Sequence, residues 1–107
     1  MNDPGYLIKK QSPKHGFGVF CLQNFNPGDF IAYFIGEETK KDGTHVLWVE
    51  ESNGKVVGYR GTGVLRYLNH SCQPNCEFDG RDLYACDTIQ SGDELLFHYG
   101  EDWKDIP

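Results

Sequence analysis

Long apolar runs are missing from this chain of 107 residues. Nothing approaches the roughly 18 consecutive apolar residues of a membrane-spanning helix. No apolar segment follows the N-terminus in the manner of a secretory leader, so an intracellular protein is expected, cytoplasmic, or nuclear if directed to chromatin. Positive charge is also scarce: 10 Lys and Arg stand against 16 Asp and Glu, a formal net charge of −6. A general nucleic-acid binder would carry the opposite sign, whereas a basic protein or peptide suits this balance. Neither nucleic acid nor membrane is an expected partner. Helical periodicity is nearly absent, with Gly63 to Asn69 the one plausible helical turn. Repeats and low-complexity stretches are absent too.

Cysteine is sparse, at Cys21, Cys72, Cys76 and Cys86. Without a secretion signal, a disulfide framework is not expected. Cys72 and Cys76 have the spacing of half a zinc site. Cys86, His70 and His98 are the candidates to complete it, and none forms a second tight pair. Buried or reduced thiols and no bound metal are therefore expected.

Aromatics at 14% and 13 glycines argue for a folded domain rather than a disordered tail. The length supports one core. Short apolar runs alternate with turn chemistry: Tyr6 to Ile8, Gly16 to Phe20, Phe30 to Ile35 after Asn26-Pro27-Gly28-Asp29, and Glu94 to Tyr99 after Ser91-Gly92-Asp93. His45 to Val49 and Val56 to Tyr59 flank Ser52-Asn53-Gly54, a hairpin signal. Asp79-Gly80 separates Cys76 to Phe78 from Leu83 to Cys86 in the same way. The pattern predicts a mostly β fold of several short strands in small sheets, one domain over residues 1–107. Its core is placed at about 6–103, with Trp103 packed somewhere and 104–107 a short tail.

Three clusters can carry chemistry. Asn69-His70-Ser71-Cys72-Gln73-Pro74-Asn75 mixes amides, imidazole, hydroxyl, thiol and proline in one short stretch. Read alone, it is either a turn with Asn and Ser bonding their own backbone or a ligand-binding loop. Lys14-His15-Gly16-Phe17-Gly18 is either a plain turn or a place where backbone approaches a ligand closely. In Leu96-Phe97-His98-Tyr99-Gly100, Phe97 and Tyr99 share one face of a strand, as core aromatics or as a channel wall.

Together these clusters resemble the SET domain, the fold of many protein-lysine methyltransferases. Asn69 to Asn75 matches the family's asparagine–histidine–serine–cysteine–x–proline–asparagine signature, and Arg66-Tyr67-Leu68 resembles its lead-in. Gly16 to Phe20 resembles the glycine–aromatic–glycine–valine segment, and Phe34 to Glu37 the tyrosine–x–glycine–glutamate segment. Glu94 to Gly100 resembles the closing strand. The resemblance implies a minimal, stand-alone SET domain with a C-terminal pseudoknot.

It further implies an S-adenosylmethionine-dependent protein-lysine N-methyltransferase, with a basic, histone-like or other protein tail as substrate. Gly16, Phe17 and Gly18 would lie against the cofactor, with Arg66, Asn69 and His70 holding its two ends. Tyr99 would be the central catalytic residue. Phe34, Phe97 and Tyr99 would line the lysine channel. Phe97 stands at a phenylalanine/tyrosine switch, where phenylalanine implies di- or trimethylation. A free lysine amine has a pKa near 10.4, so about one in 2,500 is neutral and nucleophilic at pH 7. An apolar channel and a neighbouring sulfonium both favour the neutral form. The acidic residues then read as surface and steering charges.

Three departures matter. Phe34 stands where many members have tyrosine, and Tyr33 would face the other side of a strand. His98 replaces an aspartate. Related enzymes often close the channel with a zinc-bound C-terminal segment in which the signature cysteine takes part, and the residues after Gly100 hold no cysteine. Trp103 packing over the channel, or a homodimer completing it, is the matching expectation. The alternatives are a catalytically weak or inactive SET-fold peptide-binding module, and a small zinc protein built on Cys72, Cys76 and Cys86.

Overall fold

The computed structural model describes residues 3–100 and 105. In chain order the strands are β1 (Leu7–Gln11), β2 (Phe17–Cys21), β3 (Phe30–Tyr33), β4 (Gly36–Thr39), β5 (Val46–Glu50) and β6 (Val56–Gly61), followed by a 3-10 turn at Val64–Tyr67. Then come β7 (Asn69–His70), β8 (Cys76–Asp79), β9 (Asp82–Ala85) and β10 (Glu94–Phe97). The mostly β expectation holds, in three small sheets: β1-β2-β10-β7, β3-β9-β8 and β4-β6-β5. No helix among the described residues is long and apolar enough to cross a membrane. Trp103 and most of the tail, and so the expectations placed on them, lie outside the described residues.

Local chemistry explains the strand breaks. Both expected hairpins form, β5 with β6 and β8 with β9. Gly54 (φ 82°) and Gly80 (φ 63°) take the left-handed conformation their turns need. Of the run Phe30 to Ile35, expected as one strand, Phe30–Tyr33 forms β3, and Phe34 and Ile35 fall in the connection to β4. The Phe34 N–H donates to the Arg81 carbonyl at 2.8 Å, and the Arg81 guanidinium donates back to the Phe34 carbonyl at 2.8 and 3.1 Å. That exchange turns the chain out of β3 before β4 begins. The predicted helical turn shrinks to one 3-10 turn, because Gly63 and Leu68 on either side are extended.

Apolar residues from every sheet meet in one core, with Val19, Ile31, Leu83, Ile89 and Leu95 fully buried. At about 25 cal/mol per Å² of apolar area, this burial is the main stabilising contribution. β10 lies between β2, to which it is antiparallel, and β7, to which it is parallel. The loop after β7 wraps the same strand. Asn75 donates to the Glu94 carbonyl at 2.9 Å and accepts from the Leu96 N–H at 2.8 Å. This crossing is what the pseudoknot expectation requires. It delivers Asn69 and His70 beside Leu96 and Phe97.

Candidate active site

A cavity of about 820 Å³ opens where the 3-10 turn, β7, the segment leading into β5, and the residues after β10 converge. Arg66, Asn69, His70, Phe34, Phe97 and Tyr99 all line it, so residues far apart in sequence share one space. Gly16, Phe17 and Gly18 do not line it; Lys14 and His15, just before them, do. Phe17 turns outward, half exposed, with its ring edge-on to Tyr67 at 6.0 Å and the Lys9 ammonium 4.4 Å from its centroid.

The reason lies in Glu94, which sequence reasoning left among the solvated acids. This half-buried carboxylate accepts the Ser12 hydroxyl at 2.8 and 2.9 Å and the Asn69 side-chain amide at 2.8 Å. Asn69 also donates to the carbonyls of His15 at 3.1 Å and Phe17 at 3.1 Å. Glu94 and Asn69 thereby draw the glycine loop against β10. The signal in the sequence was Gly18: only a residue without a side chain fits against the carboxylate. With its amide nitrogen occupied, Asn69 still has Oδ1 to offer as an acceptor.

His70 is buried. Its Nδ1 accepts the Tyr99 N–H at 3.0 Å, and the His98 Nδ1 accepts the Gly100 N–H at 3.0 Å. A neutral ring whose Nδ1 accepts carries its proton on Nε2. Both Nε2 atoms face the Cys72 sulfur, at 3.5 and 3.7 Å. These three ligand-type atoms lie within 4.8 Å of one another. The backbone donors make the pair of rings N–H donors to sulfur, and a cation there would have to displace both protons. The group does not include Cys76 or Cys86. Cys76 is buried with its thiol toward Asn75 Oδ1 at 3.2 Å, and Cys86 is exposed near the Pro74 carbonyl. Among the described residues, Cys72, Cys76 and Cys86, on which the zinc-protein alternative was built, do not form one ligand group. None of the four cysteines is in a disulfide.

The other part of the cavity is aromatic. Phe97 packs on Phe78 and on Tyr99, with ring centroids at 5.1 and 5.0 Å. Phe34, buried, meets Phe78 edge-on at 6.1 Å. Tyr33 faces the opposite side, as expected, where the Arg81 guanidinium lies 4.4 Å from its ring and 3.9 Å from that of Tyr59. The Tyr99 hydroxyl donates to the Leu68 carbonyl at 2.6 Å. Burial pushes its pKa above the usual 10.0, so the phenol stays neutral. The arrangement offers one neutral, positioned hydroxyl among aromatic walls, next to polar groups able to hold a small ligand. The volume falls in the range of about 300–1,000 Å³ usual for small-molecule and cofactor sites.

Comparison with known proteins agrees with this geometry. The SET domain family model matches residues 16–100. Among curated relatives, the Histone-lysine N-methyltransferase, H3 lysine-36 specific, of Aspergillus fumigatus is 32% identical over 86% of this chain. The H3 lysine-4 specific enzyme of Neurospora crassa is 26% identical over 83% of this chain, and the human Histone-lysine N-methyltransferase EHMT1 is 27% identical over 85%. The chain spans only 12%, 8% and 9% of those proteins' lengths. The matched segment contains every described cavity-lining residue from Phe34 to Gly100, and this chain belongs to the SET domain family.

Proposed function

We propose that the chain is an S-adenosylmethionine-dependent protein-lysine N-methyltransferase acting inside the cell on a lysine in a basic protein segment. The observation that carries this reading is the Tyr99 hydroxyl, anchored on the Leu68 carbonyl, in a cavity whose walls are aromatic on one side and polar on the other. Asn69 Oδ1 suits the cofactor's ammonium, and Lys14 and Arg66 put positive charge within reach of its carboxylate. His70, wedged against Tyr99 at 5.3 Å, supports the adenine end. When bound, S-adenosylmethionine supplies a methyl group made electrophilic by sulfonium.

The chain's own residues do the rest. Phe34, Phe78 and Phe97 surround the lysine stem with apolar surface, which favours the neutral amine over the ammonium. The Tyr99 hydroxyl donates a hydrogen bond to the Leu68 carbonyl, and a phenol oxygen can itself accept from an amine and from methyl C–H groups. The dominant effect is alignment of nitrogen, methyl carbon and sulfur. Phe97, lacking a hydroxyl, leaves room for a methylated product to turn and react again.

A second reading, a peptide-binding module with little or no turnover, is favoured by Phe34, which leaves one hydroxyl fewer near the lysine. Tritiated S-adenosylmethionine with mixed histones and a cell lysate separates the two. Labelling by the wild type that falls about 100-fold in Tyr99→Phe, the cost of a mispositioned reacting group, supports the enzyme. Cofactor binding by the wild type without labelling supports the module.

A further inference from the structure

The cavity mouth carries one carboxylate among its described lining residues, Asp42. Its position is built. The Trp48 indole N–H donates to Asp42 Oδ1 at 3.1 Å, and the Gly43 N–H donates to the same oxygen at 2.9 Å. The indole and the Gly43 amide hold the carboxyl below its ordinary value, so it is charged at neutral pH. Both donors take Oδ1, which leaves Oδ2 with its acceptor capacity. Trp48, also at the mouth, is 43% exposed. It packs against Gly58, where a Cβ would stand 2.7 Å from the ring. A fixed carboxylate beside an exposed aromatic ring recognises a cation twice, by charge and by cation–π attraction. The other acids nearby do not compete: Glu37 is paired with Arg60 at 2.7 Å, and Glu38, Glu50 and Glu51 lie outside this cavity.

We propose that Asp42 and Trp48 form a specificity subsite that takes a second cationic side chain, arginine or lysine, flanking the target lysine. Asp42 is exposed, so it sits at the rim rather than beside the reacting nitrogen among Phe34, Phe97 and Tyr99. This subsite rests on the lysine-methylation reading above and adds what selects the peptide.

The test uses peptides with a central lysine in which each neighbouring position is in turn Arg, Ala or Glu. Methyl transfer is measured with the wild type, Asp42→Asn, Asp42→Lys and the control Glu51→Gln, and peptide binding by fluorescence anisotropy in parallel. Wild type and Glu51→Gln should prefer Arg at one flanking position. Asp42→Asn should raise KM for that peptide about fivefold with kcat unchanged, as expected for one exposed charge contact with an aromatic partner. Asp42→Lys should turn the preference toward Glu. No flanking preference in the wild type, or one unchanged by Asp42→Asn, overturns the subsite. If no peptide is methylated, the enzyme reading fails while anisotropy still decides the subsite: an Arg-over-Glu difference lost in Asp42→Asn supports it, and a difference retained overturns it. No binding of any peptide overturns it as well.

Discussion

Gly18 and Glu94 face each other so closely that a Cβ on Gly18 would stand 2.2 Å from Glu94 Oε2. The contact shapes the polar side of the cavity, because the same carboxylate holds Ser12 and the cavity-lining Asn69. Gly18→Ala must push the carboxylate away and break the hydrogen bonds it accepts from Ser12 and Asn69. The expected result is a loss of about 1–3 kcal/mol, the cost of a buried polar group left unpaired, together with weaker cofactor binding. Urea unfolding and titration calorimetry with S-adenosylmethionine measure the two. Gly5→Ala, where a Cβ meets nothing within 4 Å, should change neither.

On the proposed function, Phe97 sets the product. Its ring lies between Phe78 and Tyr99, so a hydroxyl added there enters the space beside the Tyr99 phenol. Phe97→Tyr should shift products toward monomethyl-lysine, read by mass spectrometry of a methylated substrate. An unchanged product distribution would remove Phe97 from that role.

Arg81 holds the corner between β3 and β4. It donates to the Phe34 carbonyl with two nitrogens, and its guanidinium lies between Tyr33 and Tyr59. A lysine cannot reproduce the planar fork or its stacking. Arg81→Lys should lower stability by about 1–3 kcal/mol and loosen Phe34 in the cavity wall. Thermal unfolding, with KM for the peptide, checks both effects.

Alkaline pH should destabilise the fold through buried thiols. Burial, with a smaller contribution from the nearby Cys86, pushes the Cys76 thiol from its ordinary 9.0 up to about 12. Burial raises Cys21, Cys86 and Tyr99 as well. Each folded pKa lies above its unfolded value, so between the two the unfolded chain binds fewer protons. Stability is then fully present below about pH 9 and falls as pH rises toward 12. The Cys76 share reaches about 4 kcal/mol at pH 12. Urea midpoints at pH 8 and 10.5 should differ more for the wild type than for Cys76→Ala.

Much of the site could be read along the chain. Asn69 to Asn75 packs several backbone-bonding and ligand-type side chains into one loop, and Phe97 and Tyr99 alternate onto one face. Such features are local in sequence, because capping, turn chemistry and strand alternation act over a few residues. The hairpins at Asn53-Gly54 and Gly80 were legible for the same reason. Glu94 was not, since a carboxylate at the start of a strand looks the same whether it meets water or a buried amide. Nor was the end of β3 before Phe34, which depends on Arg81, far along the chain.

The sequence by itself therefore determined the strand-rich class, the turn positions and the residue types of the site. Tertiary structure alone decided which of them share the cavity. Placing β10 between β2 and β7 brings Asn69, His70, Phe97 and Tyr99 together. The Glu94 carboxylate, taken partly out of water by that crossing, needs Ser12 and Asn69 as donors and so pulls the glycine loop inward. A buried charge must find its partners wherever the chain has carried them, and that requirement acts through space rather than along the sequence.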